Sequence, residues 1–189
     1  MHASKVKSEA SQADPSADPQ RDFVITRVFD APSDLVFEAW TEPKHIKHWW
    51  GPRIFTNNIC EMDVRPGGAY RLVMRTGDGV EYPMSGVFRE IVKPARLIMT
   101  MDVSGHPKEW HDLINPSRAS GDNNSVCEIL MTVTFEESHG KTTVTVRQRF
   151  VSAAVRDALV KMGMNEGWSQ SLDRLGELLQ KRNENRRTK

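Results

Sequence analysis

The sequence predicts an α+β domain in which one face of a seven-stranded antiparallel sheet is covered by a long C-terminal helix. From Ile54 to Phe150, apolar and polar residues alternate with a period of two, which is typical of strands that bury one face. After Gly163, large apolar residues recur at helical spacing up to Gln180. These residues are Trp168, Leu172, Leu175 and Leu179. A helix of about 17 residues spans roughly 25 Å, enough to cross such a sheet.

The remaining elements follow from start and stop signals. The apolar run from Phe23 to Phe29 is typical of a strand, and Pro32-Ser33-Asp34 then supplies the start signals of a short helix. A second short helix is predicted from Pro43 to His48. Turn residues such as Pro66-Gly67-Gly68 divide the following stretch into six further strands. A lead-in helix from Ser152 to Lys161 is predicted to precede the long one.

Most methionines fall on the apolar phase of the strands. Six of the nine lie there: Met62, Met74, Met84, Met99, Met101 and Met131. The opposite phase carries charged residues such as Glu61, Asp63 and Arg71. Thioether side chains are flexible and polarizable, so they fill irregular core gaps and also adapt to apolar ligands. The pattern therefore leaves two interpretations open, a packed core and a ligand cavity.

The folded domain is predicted to span residues 22–181. Residues 1–21 hold few large apolar side chains, so we expect a disordered tail there, and residues 182–189 are predicted to form a disordered basic tail. Residues 103–125 make an unusually long connection between strands. A short helix within it would place Trp110, Leu113 and Ile114 on one face, which suggests a lid.

Composition excludes several classes of protein. The chain has 26 Lys and Arg against 25 Asp and Glu, so it lacks the concentrated basic face of a nucleic-acid binder. No apolar run approaches the roughly 20 residues of a membrane-spanning helix, and no hydrophobic block marks a signal peptide. We therefore expect a cytoplasmic protein with no nucleic-acid or membrane partner. Cys60 and Cys127 lie in strand-like apolar segments and are predicted to be buried thiols.

Four motifs, taken in order, resemble the SRPBCC (START-like) superfamily. They are Arg27–Trp40, Trp49-Trp50-Gly51-Pro52, Asp63–Gly68, and Gly167-Trp168 followed by Leu172 and Leu175. Within that superfamily, the chain is similar to proteins with the C-terminal domain of the activator of the 90-kDa heat-shock-chaperone ATPase. The resemblance runs from about Phe23 to Gln180. It implies the helix-grip fold, a curved antiparallel sheet around a long C-terminal helix with two short helices after the first strand.

The resemblance implies several classes of function, because the superfamily includes lipid binders, cyclases and toxin-sequestering proteins. We expect a small hydrophobic or amphipathic ligand to bind between the sheet and the C-terminal helix. The candidate ligand-binding residues are Trp40, Met62, Tyr70, Met74, Met84, Met99, Met101, Met131, Gln148 and Trp168. Two alternatives remain, a module that interacts with a chaperone and a cyclase or hydrolase that acts on a hydrophobic substrate.

Four tryptophans from separate elements are predicted to converge near the junction of sheet and helix: Trp40, Trp49, Trp50 and Trp168. Buried indole N–H groups need acceptors. Gln148 is a polar residue on the inward phase, and a buried amide without hydrogen bonds would cost ~1 to 3 kcal/mol. It is expected either to line the pocket or to lie at the cavity rim.

The sequence supports no assignment of catalytic residues, metal ligands or cofactors. His106, Glu109, His111 and Asp112 are close together, but the two histidines are not four residues apart, the spacing that places two ligands on one helical face. They are predicted to belong to a solvated loop. The sequence is compatible with a monomer or a homodimer.

Overall fold

The computed structural model describes residues 18–115 and 128–187. Its elements are β1 Asp22–Phe29, α1 Ser33–Thr41, α2 Pro43–Trp49, β2 Thr56–Met62, β3 Ala69–Arg75, β4 Glu81–Val92, β5 Arg96–Asp102, α3 Lys108–Ile114, β6 Glu128–Ser138, β7 Lys141–Arg149, α4 Ala153–Lys161 and α5 Met164–Arg187. The strands form one antiparallel sheet in the order β1-β7-β6-β5-β4-β3-β2. The predicted helix-grip architecture is confirmed.

The alternation along the strands determines which sheet face meets the helices. In β6, Ile129, Met131 and Val133 are buried, whereas Leu130 on the opposite phase is 38% exposed. On α5, Leu172, Leu175 and Leu179 are buried at helical spacing. The core therefore fills the space between the inward sheet face and α5, as the sequence predicts.

The ladder between β4 and β5 is interrupted at Gly86. The hydroxyl of Tyr70 donates to the carbonyl oxygen of Thr100 at 2.8 Å, and the backbone N–H of Val87 donates to the Thr100 hydroxyl at 3.1 Å. A Cβ at Gly86 would lie 1.9 Å from the Thr100 carbonyl oxygen, so this close approach of backbones requires glycine.

α5 is longer than the sequence predicts. It continues to Arg187, so most of the segment from 182 to 189 that was predicted to be a disordered tail is helical; residues 188–189 lie outside the described residues. Arg182 contacts the Glu38 carboxylate at 2.6 Å, and the Asn183 amide donates to the Asp30 carbonyl at 3.1 Å. These contacts dock the end of α5 onto α1 and the preceding loop, which the local charge pattern did not reveal.

The described part of the predicted N-terminal tail is ordered by hydrogen bonds. Residues 18–21 form a turn in which the backbone N–H of Asp22 donates to the Asp18 carbonyl at 2.8 Å. Residues 1–17 lie outside the described residues.

Asp22 at the start of β1 is a buried carboxylate that Arg149 holds. Arg149 donates through Nε to Oδ1 at 2.8 Å and through Nη2 to Oδ2 at 3.1 Å. Burial raises the pKa of Asp22, but the hydrogen bonds from Arg149 and from the Asp18 N–H outweigh burial, so the pKa lies below its ordinary value.

A carboxyl with a lower pKa in the folded state stabilises the fold above its unfolded pKa of about 3.9, and this stability is lost as the pH falls through the folded value. We therefore expect Asp22→Asn to reduce the free energy of unfolding by about 2 kcal/mol at pH 7, the contribution of a hydrogen bond to a charged group. The deficit should shrink as the pH falls below about 4. Urea denaturation across pH measures it, and a deficit that does not change with pH would contradict this account.

Candidate ligand-binding cavity

A cavity of about 340 Å³ lies at one end of the sheet, between the inward sheet face and the helices α4 and α5. In an antiparallel sheet, the end of one strand lies beside the start of the next, so lining residues from five strands meet at this end. They include Met74 of β3, Tyr82 and Met84 of β4, Met101 of β5, Ile129 of β6 and Gln148 of β7. The lining is mainly apolar.

The opposite wall comes from the start of α5 and from the loop after α2. Gly51 in this loop has a φ of 81°, and a Cβ there would lie 2.5 Å from the Met74 sulfur. Arg174 of α5 donates to the carbonyl oxygens of Gly51 at 2.7 Å and Pro52 at 3.1 Å. The guanidinium therefore fixes the loop against α5 and, with it, the position of the wall.

The four tryptophans converge as predicted. Trp40 stacks on Trp168 with ring centroids 6.3 Å apart, and Trp50 meets Trp168 edge to face at 5.6 Å. Trp40 and Trp49 are buried in the core, whereas Trp50 and Trp168 line the cavity. The Trp168 indole N–H donates to Gln148 Oε1 at 2.9 Å, which joins α5 to β7 at the cavity wall.

Half of the predicted ligand-binding residues line the cavity: Met74, Met84, Met101, Gln148 and Trp168. The structure places the other half outside it: Trp40, Met62, Tyr70, Met99 and Met131. These lie in or against the core on the same side of the sheet. For the four strand residues, the physical reason is that the strand phase identifies a face but not a position along the strand; Trp40 lies on α1, behind Trp168.

The three residues of the predicted lid lie in different environments in the structure. Trp110 of α3 lines the cavity and Ile114 is buried, but Leu113 is 63% exposed and faces solvent. The buried side of α3 is instead completed by His111, which is fully buried with Nε2 at 3.1 Å from the Ser104 carbonyl oxygen. Residues 116–125 of the predicted lid lie outside the described residues.

His106 is the main lining residue that the sequence interpretation missed. The sequence predicts that it belongs to a solvated loop, yet it is 9% exposed and lines the cavity. Its ring lies edge-on to Tyr82, at 5.3 Å between centroids, and to Trp110, at 4.5 Å. Within the described chain, neither ring nitrogen has a hydrogen-bond partner. Burial, with a smaller contribution from His111 and against the effect of Asp102, lowers the pKa of His106 to about 4.

Other lining residues were detectable to different degrees. Tyr82, Ile129 and Phe150 share the inward strand phase of the predicted set, so the same pattern contained them. Met162 lies in the turn between α4 and α5 and Met164 is the first residue of α5, and no periodicity places either of them.

The low pKa of His106 predicts a pH dependence of stability. Between about pH 6.5 and 4 the unfolded chain binds a proton that the folded state does not, so the free energy of unfolding falls as the pH drops through this window. The loss is about 3 kcal/mol at most. His106→Phe keeps an aromatic ring and should flatten this slope in urea denaturation. An unchanged slope in the variant would contradict the assignment.

Residues 18–115 and 128–187 were predicted to contain no metal ligands, and the segment 106–112 is the place where the sequence clusters such side chains. No group of three metal-ligating side chains is present there, and Lys108 contacts Asp112 at 2.5 Å. Burial raises the pKa of the half-buried Cys60 thiol to about 11, which fits an unreactive side chain. Cys127 lies outside the described residues.

Among the helices described, none is both long and apolar enough to cross a membrane.

The fold and the cavity together define a helix-grip domain of the SRPBCC type. The family model for the activator of Hsp90 ATPase homolog 1-like protein matches residues 30–180, and the chain belongs to this family. The family resemblance in the sequence is thus confirmed. No curated protein matches the chain.

Several solved structures share the fold. A Nitrosomonas europaea protein is 26% identical with a TM-score of 0.72, and the match covers 88% of this chain and 99% of that one. An Arthrobacter aurescens protein is 23% identical with a TM-score of 0.69, covering 86% and 87% of the two chains. A Staphylococcus aureus protein of unknown function is 20% identical with a TM-score of 0.64, covering 86% and 95%.

Proposed function

We propose that the protein binds a small hydrophobic or amphipathic molecule in the cavity between the sheet and α5. The observation that carries this proposal is a cavity of about 340 Å³ with a mainly apolar lining. Ligand pockets typically measure about 300 to 1,000 Å³. An apolar cavity of about 150 Å³ holds one benzene molecule, so this cavity has room for about two fused rings.

The methionines give the cavity an adaptable wall. Five of them line it: Met74, Met84, Met101, Met162 and Met164. Because thioether side chains change rotamer readily and are polarizable, such a wall accommodates apolar groups of different shape. We therefore expect tolerance toward the shape of the apolar part of the ligand.

In this proposal the ligand enters the cavity at the turn between α4 and α5, next to α3. Met162 lines the cavity and is 40% exposed, so the cavity reaches the surface at the turn between α4 and α5. Trp110 lies half-buried in the lining on the neighbouring α3. In this proposal Trp110 closes the mouth, while Ile114 anchors α3 to the core.

Thermal unfolding with naphthalene tests the proposed function. A ligand that binds only the folded state at about ten times its Kd stabilises it by about 1.4 kcal/mol, which raises the Tm of a domain of this size by about 4 °C. We expect a saturable rise of this order in the wild type. Leu113→Ser, which changes an exposed residue outside the cavity, should show the same rise. No rise up to the solubility limit, or a rise that does not saturate, would overturn the proposal.

A further inference from the structure

We propose that the ligand is uncharged and carries two hydrogen-bonding groups, an acceptor that meets the Gln148 amide and a hydroxyl that meets the His106 ring. This inference rests on the proposed function and names the chemical class of its ligand. Two polar side chains in the apolar lining carry it, and each has hydrogen-bonding capacity left over.

The Gln148 amide has a fixed orientation, and its Nε2 donor lacks a strong acceptor among the described residues. Its Oε1 accepts a hydrogen bond from the Trp168 indole N–H at 2.9 Å. Since this bond fixes which end of the amide is the oxygen, the Nε2 group must point away from Trp168. Among the described residues, the partner of Nε2 is the Met131 sulfur at 4.0 Å, and thioethers are weak acceptors. The residue is only 4% exposed, so water at the protein surface does not satisfy the amide. A ligand oxygen would satisfy it, because an under-bonded buried donor is costly.

His106 offers a complementary pair of groups. Both of its ring nitrogens are buried and without a partner in the described structure, although it lines the cavity. A neutral imidazole has one donor nitrogen and one acceptor nitrogen. Tyr82 and Trp110 hold the ring edge-on, so it is preorganised. A ligand hydroxyl, which both donates and accepts, matches either nitrogen.

The lining favours a neutral ligand. Its described side chains are apolar or uncharged, and the hydroxyl of Ser171 already donates to the Gly167 carbonyl at 2.8 Å. A carboxylate would lose its hydration in such a site without gaining a cationic partner. A carbonyl or ether oxygen loses far less and is matched by the Gln148 amide.

Three probes of one skeleton test the inference by calorimetric titration: naphthalene, 6-acetyl-2-naphthol and 6-hydroxy-2-naphthoate. We expect the wild type to bind the acetylnaphthol at least as tightly as naphthalene, because the hydrogen bonds offset the desolvation of its oxygens. The naphthoate, which has a carboxylate in place of the acetyl group, should bind at least about tenfold more weakly than the acetylnaphthol.

Two variants of similar shape test whether Gln148 and His106 each bind a polar group of the ligand. Gln148→Met and His106→Phe should each weaken acetylnaphthol binding about fivefold, while changing naphthalene binding less than about twofold. Naphthalene binding thus reports that each variant keeps its cavity. A loss in only one variant would overturn the role of the other residue. Preference of the wild type for naphthalene or for the naphthoate would overturn the inference and leave the proposed function intact. If no probe binds, the proposed function fails as well.

Discussion

Met101→Trp is expected to weaken naphthalene binding by more than about 100-fold while the domain still folds. Met101 is 4% exposed and belongs to the core, but it also lines the cavity, so part of its side chain borders empty space. The larger indole ring would occupy the volume that a ligand needs. Calorimetric titration measures the loss of binding, and circular dichroism shows whether the fold is retained.

Met131→Trp is the matched control, because Met131 lies on the same sheet face but is fully buried outside the cavity. Because Met131 does not border the cavity, the same substitution should reduce the free energy of unfolding by about 3 kcal/mol. Met101→Trp should reduce the free energy of unfolding by less than about 1.5 kcal/mol, because the cavity has room for much of the added volume. Equal losses of stability, or full naphthalene binding by Met101→Trp, would contradict the cavity assignment.

Gly86→Ala is expected to cost at least about 3 kcal/mol in the free energy of unfolding. Its Cβ would lie 1.9 Å from the carbonyl oxygen and 2.8 Å from the carbonyl carbon of Thr100. These are backbone atoms, so no change of side-chain rotamer relieves the overlap. The backbone of β5 at Thr100 would have to move away from β4. Urea denaturation measures the cost.

Gly77→Ala tests whether this cost is specific. Gly77 lies in the turn between β3 and β4, and nothing lies within 4 Å of a Cβ built there. We expect a change within about 0.5 kcal/mol. A similar loss in both variants would show that glycine flexibility, rather than the approach to Thr100, determines the effect.

The fold was predictable because its signals are local and agree with one another. Strand alternation, turn residues and the leucines of α5 each indicate the same architecture. The position of the cavity could not be predicted from the sequence, as the methionines show. Met99 and Met101 share one phase of β5, yet only Met101 lines the cavity. The difference depends on where Trp50, Gly51 and Pro52 meet α5, which is a contact between distant parts of the chain.

The polar part of the site was hidden for a related reason. Gln148 was recognisable because it interrupts an apolar strand phase. His106 lies in an irregular segment between β5 and α3, where no periodicity separates a buried side chain from a solvated one. Its burial between Tyr82 and Trp110 depends on tertiary packing. The helical conformation of the last residues of α5 was not predicted for the same reason. It is supported by a contact between Arg182 and Glu38, which are distant in the sequence.

The most direct test of the ligand-binding cavity is NMR of ¹³C-methyl methionine during a titration with naphthalene. Aromatic rings shift nearby methyl resonances, and the described methionines fall into two groups. We expect saturable shifts for the lining residues Met74, Met84, Met101, Met162 and Met164, and none for Met62 and Met99; Met131 is not a reference signal, because its sulfur contacts the lining residue Gln148. Unchanged spectra at the solubility limit, or equal shifts in both groups, would contradict a ligand site at this end of the sheet.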